Sequence, residues 1–343
     1  MTSDEVRVML VDDSAVIRGL IARMIEGEPG LRIAASVGNG QMAVDRLKAH
    51  PVDVIILDIE MPVMDGLTAL PKLLEIKPDV KIIMASTLTE KNAEISLRAL
   101  QAGATDYVPK PTATREISGS DTFKQELLEK IRQLGLVSRR AASTPDGGTA
   151  RPRILAVGSS TGGPQALFQL FKDIRPDINM PVMVTQHMPA TFTAILAEHI
   201  AKSTGWPCTE AADGVPLEAG HIYIAPGNFH MTVERSGAGM VIRTNQDPPE
   251  NFCRPSVDPM LRSIAAEFGG AVLTVILTGM GHDGRDGAKV VAEAGGTVLA
   301  QDEASSVVWG MPGAVATAGL CEAVLPLNDL GPHVMNKLRT RAA

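Results

Sequence analysis

Two α/β units, each built on a doubly wound parallel sheet and joined by a flexible linker, are the architecture this sequence predicts. Three observations predict it. Short apolar runs without polar alternation recur along the chain, as at Val6–Val11 and Ile154–Val157; a strand buried on both faces reads this way. Helical stretches separate the runs, which is the βαβ pattern of parallel sheets. Polar side chains gather just after the runs, at the strand carboxyl ends where open α/β sheets form their ligand crevice.

Composition bounds the function. A length of 343 residues suits two or three domains. Hydrophobic residues at 45% and charged residues at 21% place the chain in the globular class. The net charge of −7 argues against a nucleic-acid footprint. No apolar run approaches the roughly 20 residues of a spanning helix, so no membrane insertion is expected, and the N-terminus lacks a leader pattern. Cys208, Cys253 and Cys321 are far apart and odd in number. They have neither disulfide nor metal-site spacing, which points to a reducing, cytoplasmic location.

In the first unit a strand at residues 6–11 ends at Asp12-Asp13, and a helix follows from about Ser14 to Ile25. A strand at 32–37 and a helix at 41–49 come next. Val54-Ile55-Ile56-Leu57 runs into Asp58, residues 81–85 end at Ser86, and residues 105–108 end near Lys110. Asp12, Asp13 and Asp58 therefore converge at one sheet edge. Three crowded carboxylates repel and call for a cation, and oxygen-only ligands favour Mg2+. Either of the first two aspartates, taken alone, reads more readily as a helix N-cap; the combination points to the cation. Phe123, Leu127, Leu128, Ile131 and Leu134 fall at helical spacing and close the unit at about residue 137. Residues 138–151 are small, polar and aperiodic, which is linker composition.

Strand–helix alternation resumes from residue 152 and runs to 343. After the run 154–157, Gly158-Ser159-Ser160-Thr161-Gly162-Gly163 leads into a helix. Such a turn leaves a hydroxyl above a helix N-terminus, where backbone N–H groups can hold developing negative charge. Gly158-x-Ser160-x-Gly162 has the spacing of an exposed-serine elbow. The same glycines would suit a phosphate cradle, although no Gly-x-x-x-x-Gly-Lys-Ser/Thr is present. Strands at 181–185, 221–225, 271–277 and 296–300 follow. A serine, a histidine and an aspartate past different strands satisfy a Ser–His–Asp site on an open sheet. Spacing alone leaves His187, His230 and His282 in competition for the base, and Asp283 and Asp286 for the acid. Ser159 is the alternative nucleophile to Ser160.

Val11-Asp12-Asp13-Ser14, Leu57-Asp58-Ile59-Glu60-Met61-Pro62 through Asp65-Gly66, and Lys110-Pro111 resemble a response-regulator receiver domain, covering about residues 5–135. The resemblance implies a flavodoxin-like fold in which Asp58 accepts a phosphoryl group from a histidine-kinase phosphodonor. It implies Mg2+ on Asp13, Asp58 and the Glu60 carbonyl, with Asp12 in support. Ser86 would be the switch hydroxyl, with Thr87 beside it as the alternative. Tyr107 would be the aromatic that moves with the switch, and Lys110 the cation that pairs with the phosphoryl group.

Gly158–Gly163, Gln186-His187-Met188-Pro189, Arg254-Pro255-Ser256-Val257-Asp258, Thr278–Gly284 and Trp309–Gly313 resemble the chemotaxis protein-glutamate methylesterase (CheB) family. This resemblance implies a Rossmann-like domain with Ser160 as nucleophile, His187 as base and Asp283 as orienting acid. It also implies the Met280 N–H as oxyanion donor, to which the Thr161 N–H at the helix start is added here. The implied substrates are glutamate methyl esters and glutamines of chemoreceptors, with no cofactor for the esterase chemistry. Phosphorylation of Asp58 would activate the catalytic unit. Arg254 and Trp309–Gly313 would line a substrate groove or buttress the triad, and read equally as residues that only pack loops.

Overall fold

The computed structural model describes residues 5–86, 89–110, 121–135, 151–174, 178–237 and 239–339. Thr87 and residues 138–150 of the expected linker lie outside them. The chain divides into two compact units, Met1–Val137 and Ser138–Ala343.

The first unit runs β1 (Val6–Val11), α1 (Ala15–Glu26), β2 (Leu31–Val37), α2 (Gly40–Ala49), β3 (Val54–Asp58), α3 (Gly66–Ile76), β4 (Lys81–Ser86), α4 (Glu90–Gln101), β5 (Asp106–Pro109) and α5 (Asp121–Gly135). Among the described residues its five strands are parallel in the order β2-β1-β3-β4-β5. β3 is buried at every position, which is why it reads as an unbroken apolar run. Helix starts follow capping chemistry: Ser14, Asn39, Asp65 and Thr89 each accept a hydrogen bond from a first-turn N–H. Ser14 therefore caps α1, and Asp12 and Asp13 are left for other work. Leu127, Leu128, Ile131 and Leu134 of α5 are all buried. The strand order reverses between β1 and β3, and register sets Val11 beside Leu57. Their next residues, Asp12 and Asp58, thus emerge side by side at the switch point.

The second unit runs β6 (Ile154–Ser159), α6 (Gly163–Asp173), β7 (Val182–Gln186), α7 (Ala190–Thr204), β8 (Cys208–Glu210), β9 (Ile222–Ile224), β10 (His230–Ser236), β11 (Gly239–Asn245), α8 (Val257–Phe268), β12 (Val272–Ile276), α9 (Arg285–Glu293), β13 (Thr297–Gln301), α10 (Met311–Thr317), β14 (Ala323–Leu325) and α11 (Leu327–Arg339). Among the described residues, seven parallel strands are ordered β14-β13-β12-β6-β7-β9-β8, and β10 and β11 form a separate antiparallel hairpin. The hairpin, β8 and β14 go beyond the sequence expectation. β8 and β14 have three residues each, too few for a periodic signal, and β10 turns polar and exposed over its last three positions. β6 and β12 flank the reversal of strand order. Pairing of Gly158 with Ile276, and of Ser159 with Gln186, delivers the loops after β6, β12 and β7 to one crevice.

Candidate functional site

The serine turn is built by its neighbours. Ser160 N–H donates to Thr278 O at 3.1 Å, and Gly163 N–H donates to Ser160 O at 2.8 Å. Gly162 starts α6 with φ of 75°, a conformation that favours glycine. Ser159 is fully buried and donates from Oγ to Gln186 Oε1 at 2.7 Å. Gln186 Nε2 donates to the carbonyls of Ser160 and His187 at 2.9 and 3.1 Å. The Ser159 hydroxyl is thus enclosed and engaged, whereas the partly exposed Ser160 hydroxyl makes no hydrogen bond among the described residues. A Cβ added to Gly279 would stand 2.9 Å from Ser160 Cβ, so the β12 loop passes directly over the serine. The N–H groups of Met280 and Thr161 have no acceptor among the described residues.

Of the three candidate histidines, His187 is the one brought against Asp283, with Nε2 2.7 Å from Oδ2. His230 is buried at the start of β10, where Nδ1 accepts from Ser256 N–H at 3.2 Å and Nε2 faces Pro248 O. His282 is exposed. Asp286 is exposed as well and pairs with Arg285 at 2.9 Å. Asp283 is buried and accepts from Ser256 Oγ at 2.7 Å, Val257 N–H at 2.6 Å, Asn251 Nδ2 at 2.9 Å and Gly284 N–H at 2.9 Å. Its carboxylate therefore also sits at the N-terminus of α8, a favourable place for negative charge. Burial raises its pKa, but His187 and these donors hold it well below the usual carboxylate range. Neighbouring Asp258 shows the opposite balance: burial and the Asp283 charge push it up to about 6.

The second nitrogen of His187 does not meet Ser160. Nδ1 lies 3.3 Å from Cys253 Sγ. Burial disfavours the imidazolium, yet the Cys253 sulfur and the Asp283 carboxylate more than offset it and push His187 up to about 10. The upward shift favours the protonated ring, and Nδ1 faces Cys253 rather than Ser160.

Gln186, Asn251, Ser256 and Cys253 also touch Ser160, His187 or Asp283, and the sequence does not single out these side chains. Gln186 and Ser256 lie within motifs quoted above, Cys253 next to one and Asn251 three residues before it, but a position in a motif does not say which way a side chain points. Arg254 fastens loops, with Nη1 donating to Gln246 O and Asp247 O and Nη2 to Asn228 Oδ1. The Trp309–Gly313 segment buttresses the β12 loop: Gly310 and Met311 N–H donate to Gly279 O at 3.1 and 2.9 Å. Beside it, a depression of about 480 Å³ is lined by Arg285, Trp309, Gly313, Ala314, Thr317 and Ala318.

In the first unit the carboxylates of Asp12, Asp13 and Asp58 place oxygen atoms within 4.8 Å of one another. Lys110 bridges two of them, 2.5 Å from Asp12 and 2.7 Å from Asp58. Burial is the main cause that pushes Asp58 up to about 6; Lys110 opposes it and Asp12 adds to it. A Cβ on Gly66 would stand 2.1 Å from Asp58 O, so only glycine lets α3 start so close to the β3 exit. Glu60 follows β3 in an exposed bend. Ser86 is buried at the end of β4 and accepts from Ser96 Oγ of α4 at 3.0 Å. Tyr107 is buried on β5, and burial pushes its phenol up. Lys130 of α5 donates to the Tyr107 carbonyl at 2.8 Å and pairs with Asp106 at 2.9 Å.

No helix among the described residues is long and apolar enough to cross a membrane. A CheB methylesterase family model matches residues 155–334, and a response regulator receiver domain model matches residues 8–120. Protein-glutamate methylesterase/protein-glutamine glutaminase 1 of Paramagnetospirillum magneticum is 56% identical over 372 residues, covering 99% of this chain and 97% of that protein. The protein-glutamate methylesterase/protein-glutamine glutaminase of Azospirillum brasilense is 55% identical, covering 99% of this chain and 94% of that one. Among solved structures, the Thermotoga maritima CheB methylesterase catalytic domain matches with a TM-score of 0.53 and 35% identity, over 55% of this chain and 99% of that one. The chain belongs to the CheB methylesterase family, with a response regulator receiver domain ahead of its methylesterase domain.

Proposed function

We propose that this protein is a phosphorylation-activated hydrolase that removes methyl groups from glutamate methyl esters of chemoreceptors and deamidates receptor glutamines. Its place would be the cytoplasm, in sensory adaptation. The observation that carries this reading is the His187–Asp283 contact of 2.7 Å at the crevice onto which Ser160 opens. Residues 1–137 serve as the receiver, 138–151 as linker and 152–343 as the catalytic domain.

Ser160 Oγ attacks the ester carbonyl as His187 Nδ1, freed from Cys253, takes its proton. The negative oxygen that forms is held by the N–H groups of Met280 and Thr161, which have no other acceptor among the described residues. His187 then protonates the departing methoxide and methanol leaves. Water, deprotonated by the same nitrogen, attacks the acyl-enzyme and releases glutamate. With a glutamine substrate the first leaving group is ammonia. Asp283 fixes the ring and stabilises the imidazolium that appears at each step.

In the receiver, Asp58 accepts a phosphoryl group from a histidine kinase. The three-carboxylate cluster has the all-oxygen donor chemistry that suits Mg2+, so Asp12, Asp13, Asp58 and the Glu60 carbonyl would hold the ion. Bound there, Mg2+ would neutralise charge on the transferring phosphoryl group. Lys110 would move from the bare Asp58 carboxylate to the phosphoryl oxygens. Those oxygens would draw the Ser86 hydroxyl from Ser96, with Tyr107 following; Thr87 is the alternative switch hydroxyl.

Methanol release from methylated receptors, with and without a phosphodonor and Mg2+, tests the reading. Ser160→Ala should lose turnover by a factor on the order of 10⁴ or more. Asp58→Asn should keep the basal rate and lose the stimulation. Undiminished turnover in Ser160→Ala would overturn the nucleophile, and an equal response of Asp58→Asn would overturn the switch.

A further inference from the structure

The structure holds three free cysteines, of which Cys208 and Cys321 are buried and Cys253 is partly exposed. Burial pushes the thiols of Cys208 and Cys321 up to about 12, so both stay protonated and inert near neutral pH. Cys253 has different surroundings. Its sulfur faces His187 Nδ1 at 3.3 Å, and the opposite ring nitrogen is bonded to buried Asp283. A thiol set against a carboxylate-backed imidazole has a base at hand to take its proton as the sulfur attacks. The serine mechanism has no use for this thiol, which instead occupies the nitrogen that Ser160 needs.

The backbone holds the sulfur there. Glu250 and Cys253 exchange N–H···O bonds of 3.1 and 2.9 Å across a tight turn. Asn251 and Phe252 form its corner with φ of 51° and 63°. Asn251 Nδ2 anchors the turn to Asp258 and Asp283, and Phe252 at its tip is fully exposed. The turn thus lies at the surface, within reach of a small oxidant.

We propose that Cys253 is a peroxide-sensitive thiol whose reversible oxidation silences the serine esterase, an inference that rests on the reading of His187 as the catalytic base. The Cys253 thiolate attacks hydrogen peroxide; an S–O bond forms and the O–O bond breaks. Sulfur loses two electrons to the peroxide, and the departing hydroxide takes a proton from the His187 imidazolium and leaves as water. The product is a sulfenic acid whose oxygen lies against Nδ1 and bars the ring from Ser160. A thiol reductant condenses with the sulfenic acid to a mixed disulfide and water, and a second thiol equivalent restores Cys253.

The full-length protein is treated with hydrogen peroxide, sulfenic acid is trapped with dimedone, and each cysteine is followed by mass spectrometry alongside methanol release. Cys253 should label about tenfold or more faster than Cys208 and Cys321. Methanol release should fall in step with labelling and return with dithiothreitol when the trap is left out. His187→Gln should slow labelling of Cys253 about tenfold, and Cys253→Ser should retain its own activity under peroxide. Equal labelling of the three cysteines, full oxidation of Cys253 with turnover intact, or equal peroxide loss in Cys253→Ser overturns the proposal. Should His187→Gln fail to fold, the site ratio within the wild-type chain decides by itself. Ser160→Ala separates the two readings: it should label Cys253 at the wild-type rate, and retained turnover in that variant would reject the serine mechanism instead.

Discussion

Gln186 Nε2 donates a 2.9 Å hydrogen bond to the Ser160 carbonyl, while Gln186 Oε1 accepts from the Ser159 hydroxyl at 2.7 Å. One amide at the end of β7 thereby sets the height of the serine turn at the end of β6. Removing it leaves a buried hydroxyl unpaired, at a cost of about 1–3 kcal/mol. Gln186→Ala should lose about that much stability in denaturant titration. Methanol release should also fall, on the order of 10²-fold, because a nucleophile misplaced by about 1 Å has that effect.

The two adjacent serines should behave differently. Ser159→Ala removes a buried hydrogen bond and should cost about 1 kcal/mol of stability while keeping measurable turnover. Ser160→Ala should keep the stability and lose the turnover. Unfolding midpoints and methanol release on the same preparations check the pair, and the reverse result would exchange their roles.

The charged forms of His187 and Asp283 support each other, and their pH windows differ. Asp283 is held below the usual range, so its contribution is present above its unfolded value of about 4 and is lost as pH falls through the folded value. His187 is pushed up to about 10. Its contribution is complete below the unfolded value of about 6.5 and is lost as pH rises through the folded one. His187→Gln should therefore cost more stability at pH 6 than at pH 9. Methanol release should rise as pH rises toward the His187 value, because Nδ1 acts only when unprotonated. Cys253→Ala removes one cause of the upward shift and should move that rising limb to lower pH; an unmoved limb would show that the sulfur does not hold the proton in place.

Crowding of Asp12, Asp13 and Asp58 makes a quantitative prediction for Mg2+. One lysine, Lys110, pairs with two of the three carboxylates, so a divalent cation that binds only the folded receiver should stabilise it by about 2.7 kcal/mol at a hundredfold excess over Kd. Calorimetry should show the gain in the unfolding of residues 1–137, and chelation should reverse it. Asp13→Asn should shrink the gain. An equal gain in Asp13→Asn would remove that residue from the ligand set.

Much of both sheets was legible because strands buried on both faces must be apolar throughout, as in Val54–Leu57 and Ile154–Val157. Chain ends of such strands are also where polar side chains stand out, which drew attention to Asp58, Ser160 and His187. The β10–β11 hairpin escaped because its exposed end dilutes any apolar pattern. The site's supporting side chains escaped for a different reason. Asn251 reaches Asp283 across 32 positions and Ser256 across 27, and no local periodicity encodes contacts between such distant segments.

By itself the sequence determined the α/β alternation, the polar character of the strand exits and the membership of a recognisable family, since these depend on local order along the chain. Tertiary structure decided which exits meet. Reversal of strand order between β6 and β12 brings the serine turn and the aspartate loop to one crevice, and β7 supplies the histidine beside them. It also decided which histidine meets the acid, burying His230 in other contacts and leaving His282 exposed. The pairing of His187 Nδ1 with Cys253 rather than with Ser160 belongs to that level alone. It depends on where a turn 66 residues away sets down one sulfur atom, and nothing in the local sequence of either residue specifies that distance.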